Sequence, residues 1–219
     1  MMLSLAPRLL RSDAELLCIG AHSDDLEIGC SGTVFRLCSE LPIKRVTWVV
    51  LSAASDERRL REARLGAEKV LGECIESRVI VAAFRDGFFP YPGAPVKEFF
   101  EGLKSEVAPD LILTHYRGDR HQDHRFVSEL TYNTFRDHLI LEYEIFKIDG
   151  DLGSPNVYVP LSEEVVERKV ELLLATFGSQ RDKRWFNAEA FRGLLRLRGV
   201  EAGAEEGYAE AFYGRKLVI

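Results

Sequence analysis

Two short stretches carry residue types and spacings able to do chemistry. In residues 16–37, LLCIGAHSDDLEIGCSGTVFRL, an apolar run stops at Ala21, then His22, Asp24 and Asp25 follow, and a glycine-spaced apolar pattern resumes. Two residues separate His22 from Asp25 in a tight loop entering a helix, a spacing that brings an imidazole and a carboxylate to one point with Asp24 beside them. The second stretch, HQDH, supplies His121, Asp123 and His124. Two histidines and one carboxylate make the three-ligand set of a catalytic zinc, with a fourth position open to water. A carboxylate left over near that water could serve as general base, and a remaining histidine as general acid or as a donor to a substrate oxygen. Taken singly, each feature has a plainer explanation. A strand-end histidine is usually a hydrogen-bonded loop residue, and paired aspartates before a helix usually cap it and offset its dipole. Together they weigh more, because three of the five histidines fall in these two stretches.

The elements around the two stretches alternate between strand and helix. ELLCIGA, RVTWVVLSA, SRVIVAAF and PDLILTH read as strands, and EIGCSGTVFRLCSEL, SDERRLREARLGAEKVLG, VKEFFEGLKSEV and HRFVSELTYNTFRDHL as the helices between them. Ser55 and Asp56 are good N-caps and Gly72 is a fitting C-cap for the second helix. Strands separated by helices of this length form parallel βαβ units, so the expected fold is α/β: a Rossmann-like, three-layer α/β/α arrangement with a mostly parallel sheet. Beyond residue 140, LEYEIFKI and NVYVPL read as short strands, SEEVVERKVELLLATF as an amphipathic helix and NAEAFRGLLRLRGV as another. With no repeat or linker in sight, residues 1–219 are expected to be one domain with its core at about 15–137. Ligands of open α/β sheets bind at the carboxyl ends of the strands. HSDD, FRDGFFPY and HYRGDRHQDH all fall at such ends.

Composition narrows the function classes. Hydrophobic residues make up 46% and charged residues 29% of the 219, enough for a substantial core. A net charge of −6, with signs interspersed, argues against nucleic-acid or anionic-membrane binding as the main activity. No apolar run approaches the ~20 residues of a membrane span, and arginines interrupt the apolar N-terminus, against a signal peptide. Cys18, Cys30, Cys38 and Cys74 show no CxxC spacing, and the first three lie in apolar pattern. Buried free thiols of a reducing compartment, with the cytoplasm as default, are expected.

AHSDDLEIGCSGT followed by HQDHR resembles the LmbE-like, or PIG-L, family of zinc-dependent N-acetylglucosaminide deacetylases, whose pattern pairs AHPDD with a downstream HPDH. The likeness spans the strands and helices from about residue 15 to 137. It implies that His22, Asp25 and His124 bind Zn2+, that Asp24 is the general base, and that His121 stabilises the tetrahedral intermediate or protonates the leaving amine. It further implies that Asp123 orients a neighbouring histidine. Ser23 and Gln122 replace the family's usual prolines, which costs loop rigidity and removes no ligand. Leu26 stands where many members have glutamate, with Glu27 one place later, and Glu27 is left outside the site. The implied substrate is a small-molecule N-acetylated sugar or sugar conjugate, and self-association is common among related enzymes.

For the substrate pocket, Arg85 and Asp86 could bond sugar hydroxyls or a phosphate, Arg117, Asp119, Arg120 and Arg125 flank the second motif, and Phe88, Phe89 and Tyr91 could pack on a sugar face. Two other readings compete. Asp24, Asp25 and Asp86 are the acidic set of a magnesium-binding, phospho-accepting receiver domain, but that leaves His22 and HQDH without a role. A Rossmann nucleotide site needs GxGxxG, and GCSG falls short of it.

Overall fold

The computed structural model describes residues 13–216. Residues 1–12, on which the reading of the N-terminus partly rests, lie outside the described residues. A seven-stranded sheet has the order β3-β2-β1-β4-β5-β7-β6. Its first five members, β1 (Ala14–His22), β2 (Ile43–Ser52), β3 (Glu76–Val81), β4 (Leu111–His115) and β5 (Leu139–Tyr143), are parallel. Helices α1 (Asp25–Glu40), α2 (Glu57–Leu71), α3 (Gly93–Glu106) and α4 (Gln122–Thr134) connect them. The mostly parallel, three-layer expectation therefore holds.

The period of two along the central strands explains the layers. Leu16 and Cys18 of β1, with Val46, Trp48 and Val50 of β2, join one core against α1, α2 and the later helices. Leu17, Ile19 and Ala21, with Val49 and Leu51, join the other against α3 and α4. The chain runs outward in one direction from β1 to β3, and in the other from β4 to β5. The reversal falls between β1 and β4, so a crevice opens at their carboxyl ends. His22 ends β1 and His115 ends β4.

Helix ends follow local chemistry. Asp56 caps α2 by accepting the Arg59 N–H at 3.0 Å. Gly29 lets α1 lie close on the sheet, since a Cβ there would overlap the ring of the fully buried Tyr143. In two places the chain departs from expectation. α4 stops at Thr134, four residues before β5 begins, because Phe135 turns into the core and ends the helix. The segment Tyr208–Gly214, which the sequence pattern did not mark as a strand, forms β7, antiparallel between β5 and β6 (Val157–Leu161). Its alanines and central glutamate give little strand signal. Pro160 in β6 fits, since β6 is the sheet edge. Helices α5 (Glu163–Thr176) and α6 (Ala188–Ala202) complete the helical layer, capped by Ser162 and Asn187. None of the described helices is long and apolar enough to cross a membrane.

The cysteine expectation needs correction. Cys18 and Cys30 are buried free thiols, but Cys38 and Cys74 form a disulfide with Cα atoms 5.2 Å apart. Cys38 sits in the last turn of α1 and Cys74 just past α2, helices that pack together only in the folded chain.

β7 also locks the C-terminal part onto α1. Glu210 accepts the Gly32 and Thr33 N–H groups at 2.9 and 2.7 Å and pairs with Lys169 of α5 at 2.5 Å. Lys169 in turn donates to the Ile28 carbonyl at 2.6 Å. Breaking a buried, hydrogen-bonded pair on one side costs about 3–5 kcal/mol. Glu210→Ala should therefore lower stability in urea unfolding by roughly that amount, and an unchanged midpoint would show that the pair is dispensable.

Candidate active site

The tight loop between β1 and α1 folds back through Asp25, whose Oδ2 accepts the His22 N–H at 2.6 Å. Around that carboxylate the crevice gathers three imidazoles. His22 Nδ1 lies 3.3 Å from Asp25 Oδ2, His115 Nε2 3.2 Å from the same oxygen, and His124 Nε2 3.4 Å from Oδ1. His22 Nδ1 and His124 Nε2 face each other at 3.1 Å. His22, Asp25 and His124, the ligand trio implied by the sequence, thus meet at one point, all of them buried.

The partners on the far side of each ring settle the tautomers. His124 Nδ1 faces Asp119 Oδ2 at 2.8 Å, so the proton sits there and Nε2 carries a lone pair. His22 Nε2 faces Asp86 Oδ1 at 3.1 Å and Asp123 Oδ2 at 3.3 Å, so one proton sits there and Nδ1 is the atom that can ligate once its own proton has left. His22 Nδ1, the His124 Nε2 lone pair and the Asp25 carboxylate therefore point at one another, an arrangement held together by the proton on Nδ1 and able to take a metal ion in that proton's place. Tetrahedral zinc, about 2.0–2.1 Å from each ligand, separates its ligands by roughly 3.3–3.4 Å. His22 Nδ1 and His124 Nε2 are 3.1 Å apart, with one Asp25 oxygen 3.3 Å from the first and the other 3.4 Å from the second, spacings close to that value. Other groupings also come within 4.8 Å, namely His22–His121–His124, Asp25–His115–His124 and His22–Asp86–Asp123. In the second, His115 Nε2 already accepts the Ala21 N–H at 2.9 Å. In the third, His22 uses its proton-bearing edge.

The charge balance treats the two imidazoles differently. Burial drives the His124 pKa down to about 4, with His115 adding to the effect, so the ring is neutral and ready to ligate. Burial opposes a charged His22, but Asp25, Asp123 and Asp86 outweigh it and hold its pKa well above 6.5. Burial likewise disfavours ionised Asp25, yet the surrounding His124, His115 and His22 pull it well below the ordinary carboxylate range.

Asp24 stands beside this cluster, buried at the N-terminus of α1, with its Oδ1 accepting from Arg59 Nη2 at 3.1 Å. Burial raises its pKa, only partly offset by Arg59. His121 is the N-cap of α4, where its Nδ1 accepts the Asp123 N–H at 3.3 Å, leaving Nε2–H free to donate. Burial and the nearby His22 lower its pKa, so the ring is neutral. Asp123, fully buried, accepts the Gly87 and Phe89 N–H groups at 2.6 and 3.1 Å while facing His22. The histidine beside its carboxylate is thus His22. Gly87, at φ +79°, makes the turn that presents its N–H.

Several residues acquire roles that their sequence positions did not disclose. His115 is fully buried with its ring stacked on His124, centroids 3.9 Å apart, and its Nδ1 has no partner. Its place at a strand end beside β1 was the available signal. Asp119, read as a flanking pocket residue, instead holds His124, accepts the His121 N–H at 2.7 Å and pairs with Lys147 at 3.0 Å. Gln122, in a family proline's place, ties the 85–89 loop to α4 by donating to the Gly87 carbonyl at 2.9 Å. Glu27 is buried with neither carboxylate oxygen hydrogen-bonded. Nothing in the structure explains Ser23, whose buried hydroxyl has no partner. Phe89 cannot stack on a sugar because it is buried in the core, whereas Phe88 and Tyr91 are exposed. The acidic set of a receiver domain does not assemble: Asp24 faces Arg59, Asp25 the histidine cluster and Asp86 His22.

Comparison with known proteins bears on the family and the fold. Residues 17–135 match the PIG-L model, described as GlcNAc-PI de-N-acetylase. Among solved structures, the N,N'-diacetylchitobiose deacetylase of Pyrococcus horikoshii superposes with a TM-score of 0.70 at 20% identity, covering 95% of this chain and 86% of its own. The A40926 pseudoaglycone deacetylase Dbv21 gives 0.65 at 19% identity, with coverages of 93% and 98%. The 4-carboxy-2-hydroxymuconate hydratase GalB of Pseudomonas putida gives 0.73 at 16% identity, with coverages of 94% and 98%. These likenesses establish the shared fold, and the fold alone does not dictate one reaction. With more than half of its length matched by the family model, and with both histidine–aspartate motifs drawn together at the β1/β4 crevice, this chain belongs to the PIG-L family.

Proposed function

We propose that the protein is a zinc-dependent hydrolase that removes the acetyl group from an N-acetylated amino sugar or sugar conjugate. The observation that carries this reading is the convergence of His22 Nδ1, His124 Nε2 and the Asp25 carboxylate, with the unligated Asp24 beside them. A metal hydrolase needs that division between ligands and a free base. Family membership and the deacetylases among the structural relatives support the choice of an acetamide as the bond cleaved.

His22, Asp25 and His124 would hold the ion. Bound there, zinc supplies Lewis acidity and water of lowered pKa. Asp24, oriented by Arg59 and with its pKa raised by burial, takes the proton as water attacks the acetamide carbonyl. The Nε2–H of neutral His121 donates to the oxygen on which negative charge develops. Because His121 is held neutral, protonated Asp24 is the better source of the proton that the leaving amine needs. Asp119 and Asp123 keep His124 and His22 in the ligating tautomers.

Asp24→Asn is expected to keep the metal and lose about 10²–10⁴-fold in kcat, measured by amine release alongside metal analysis. Full turnover in the metal-loaded variant would remove Asp24 as base. His124→Ala should lose metal and activity together, whereas Asp119→Asn should weaken metal binding about 10–100-fold by calorimetry. Zinc affinity should rise with pH through and beyond 6.5, because the proton that His22 retains must leave before Nδ1 can ligate. The decisive assay is amine release from a panel of N-acetylated sugars by the zinc-loaded protein. Release identifies the substrate, and silence across the panel would count against a deacetylase.

A further inference from the structure

The sheet ends differently on its two sides. β6 carries Pro160, which lacks the N–H that a further strand would bond. β3, at the other edge, has neither proline nor bulge, and its pairing with β2 runs unbroken from Glu76 opposite Arg45 to Val81 opposite Val50. Among the described residues β2 is its only strand neighbour. Every residue from Ile75 to Val79 is exposed, Ile75 by 71% and Val79 by 39%. An open, regular strand edge bearing apolar side chains is a template for another strand.

The residues along this edge complement one another about a single point. A two-fold axis normal to the sheet brings two copies of one strand together antiparallel. The pairing is then centred on one residue, and residues equally distant from it on either side face each other. With Ser77 at the centre, Ile75 of one copy meets Val79 of the other, and Glu76 meets Arg78. Within one chain Glu76 pairs with Arg45 at 2.8 Å and Arg78 pairs with Glu106, all through exposed side chains. Across the axis the two pairs join into a row of alternating charge: Arg45, Glu76, Arg78, Glu106. Moving the centre one residue either way sets Glu76 or Arg78 opposite its own copy, and like charges directly opposite destabilise a sheet. Charge thus specifies the register.

We propose that the β3 edge is a self-association surface, on which two copies of this chain join antiparallel about Ser77 and make their seven-stranded sheets continuous. The occupant is a second copy because the two halves of the strand complement each other, a symmetry that a foreign strand does not require. Ser77 lies near the amino end of β3, whereas the histidine cluster lies at the carboxyl ends of β1 and β4. The pairing therefore leaves the candidate active site open, and it does not depend on which reaction that site performs.

Sedimentation of the full chain across the micromolar range tests this. A concentration-dependent association of two copies is expected. Ile75→Lys should weaken it about tenfold, since the change is felt twice across the axis. Ile75→Lys/Val79→Glu should restore it, because the two new charges face each other between copies. Within one chain these positions are four residues apart on an extended strand, about 13 Å, and cannot meet. Ser77→Cys should give a covalent dimer on mild oxidation, and Ser105→Cys, at the exposed end of α3, should not. An unchanged unfolding midpoint in urea verifies that each variant is folded. A chain that stays monomeric, an association that Ile75→Lys leaves unchanged, or a double variant no better than the single one would overturn the proposal.

Discussion

The Asp25 carboxylate is the point on which the site depends. It receives the His22 N–H, which closes the loop between β1 and α1, and it faces His22, His115 and His124 at once. Those histidines come from the ends of β1 and β4 and the first turn of α4. A buried anion cannot stand alone at such a junction, because the cost of desolvating it must be offset by charge or hydrogen bonds. The same logic runs outward. His124 leans on Asp119, Asp119 on Lys147, and His22 on Asp123 and Asp86. Carboxylates alternate with nitrogen groups outward from the centre, so each group biases the protonation of the next.

This alternation separates two carboxylates that are adjacent in sequence. Asp25 lies among imidazoles, which keep it ionised, while at Asp24 the pull of Arg59, with smaller contributions from His22 and Lys183, does not overcome burial. Neighbouring residues thus acquire opposite proton affinities from what surrounds them, the arrangement expected when one must hold a metal and the other must move a proton. The loop after β3 belongs to the same construction. Asp123 and Gln122 bind its backbone at Gly87 and Phe89, and that anchoring carries Asp86 to His22.

The C-terminal third contributes through the back of α1. Glu210 from β7 and Lys169 from α5 bond the helix backbone at Ile28, Gly32 and Thr33, one to two turns beyond Asp25. These bonds fix the helix whose first turn carries the site, and Gly29 allows it to approach the Tyr143 ring. The turn following α5 then supplies Ser179 and Gln180 to a cavity lined by Arg59, the partner of Asp24. The region with the weakest pattern in the sequence therefore supports the helix and shapes the pocket.

Much of this was legible from residue order. The apolar runs and their spacing identified four parallel strands and the helices between them, since burial on both sheet faces leaves a strong local pattern. His22, Asp24, Asp25 and His124 were legible because they cluster within two short motifs at strand ends. β7 was not, because an alanine-rich strand with a buried glutamate has no local signal apart from its partners. Nor were His115, Asp119 and Arg59, whose roles arise from contacts that the fold makes. The Cys38–Cys74 pairing belongs with them, as it depends on where two helices end in space. By itself, then, the sequence determined the layers and the ligand-bearing motifs, which follow from periodicity and side-chain type. Tertiary structure alone decided which nitrogen of each imidazole faces the centre and which carboxylate stays ionised, because protonation answers to distance and burial, which no linear pattern encodes.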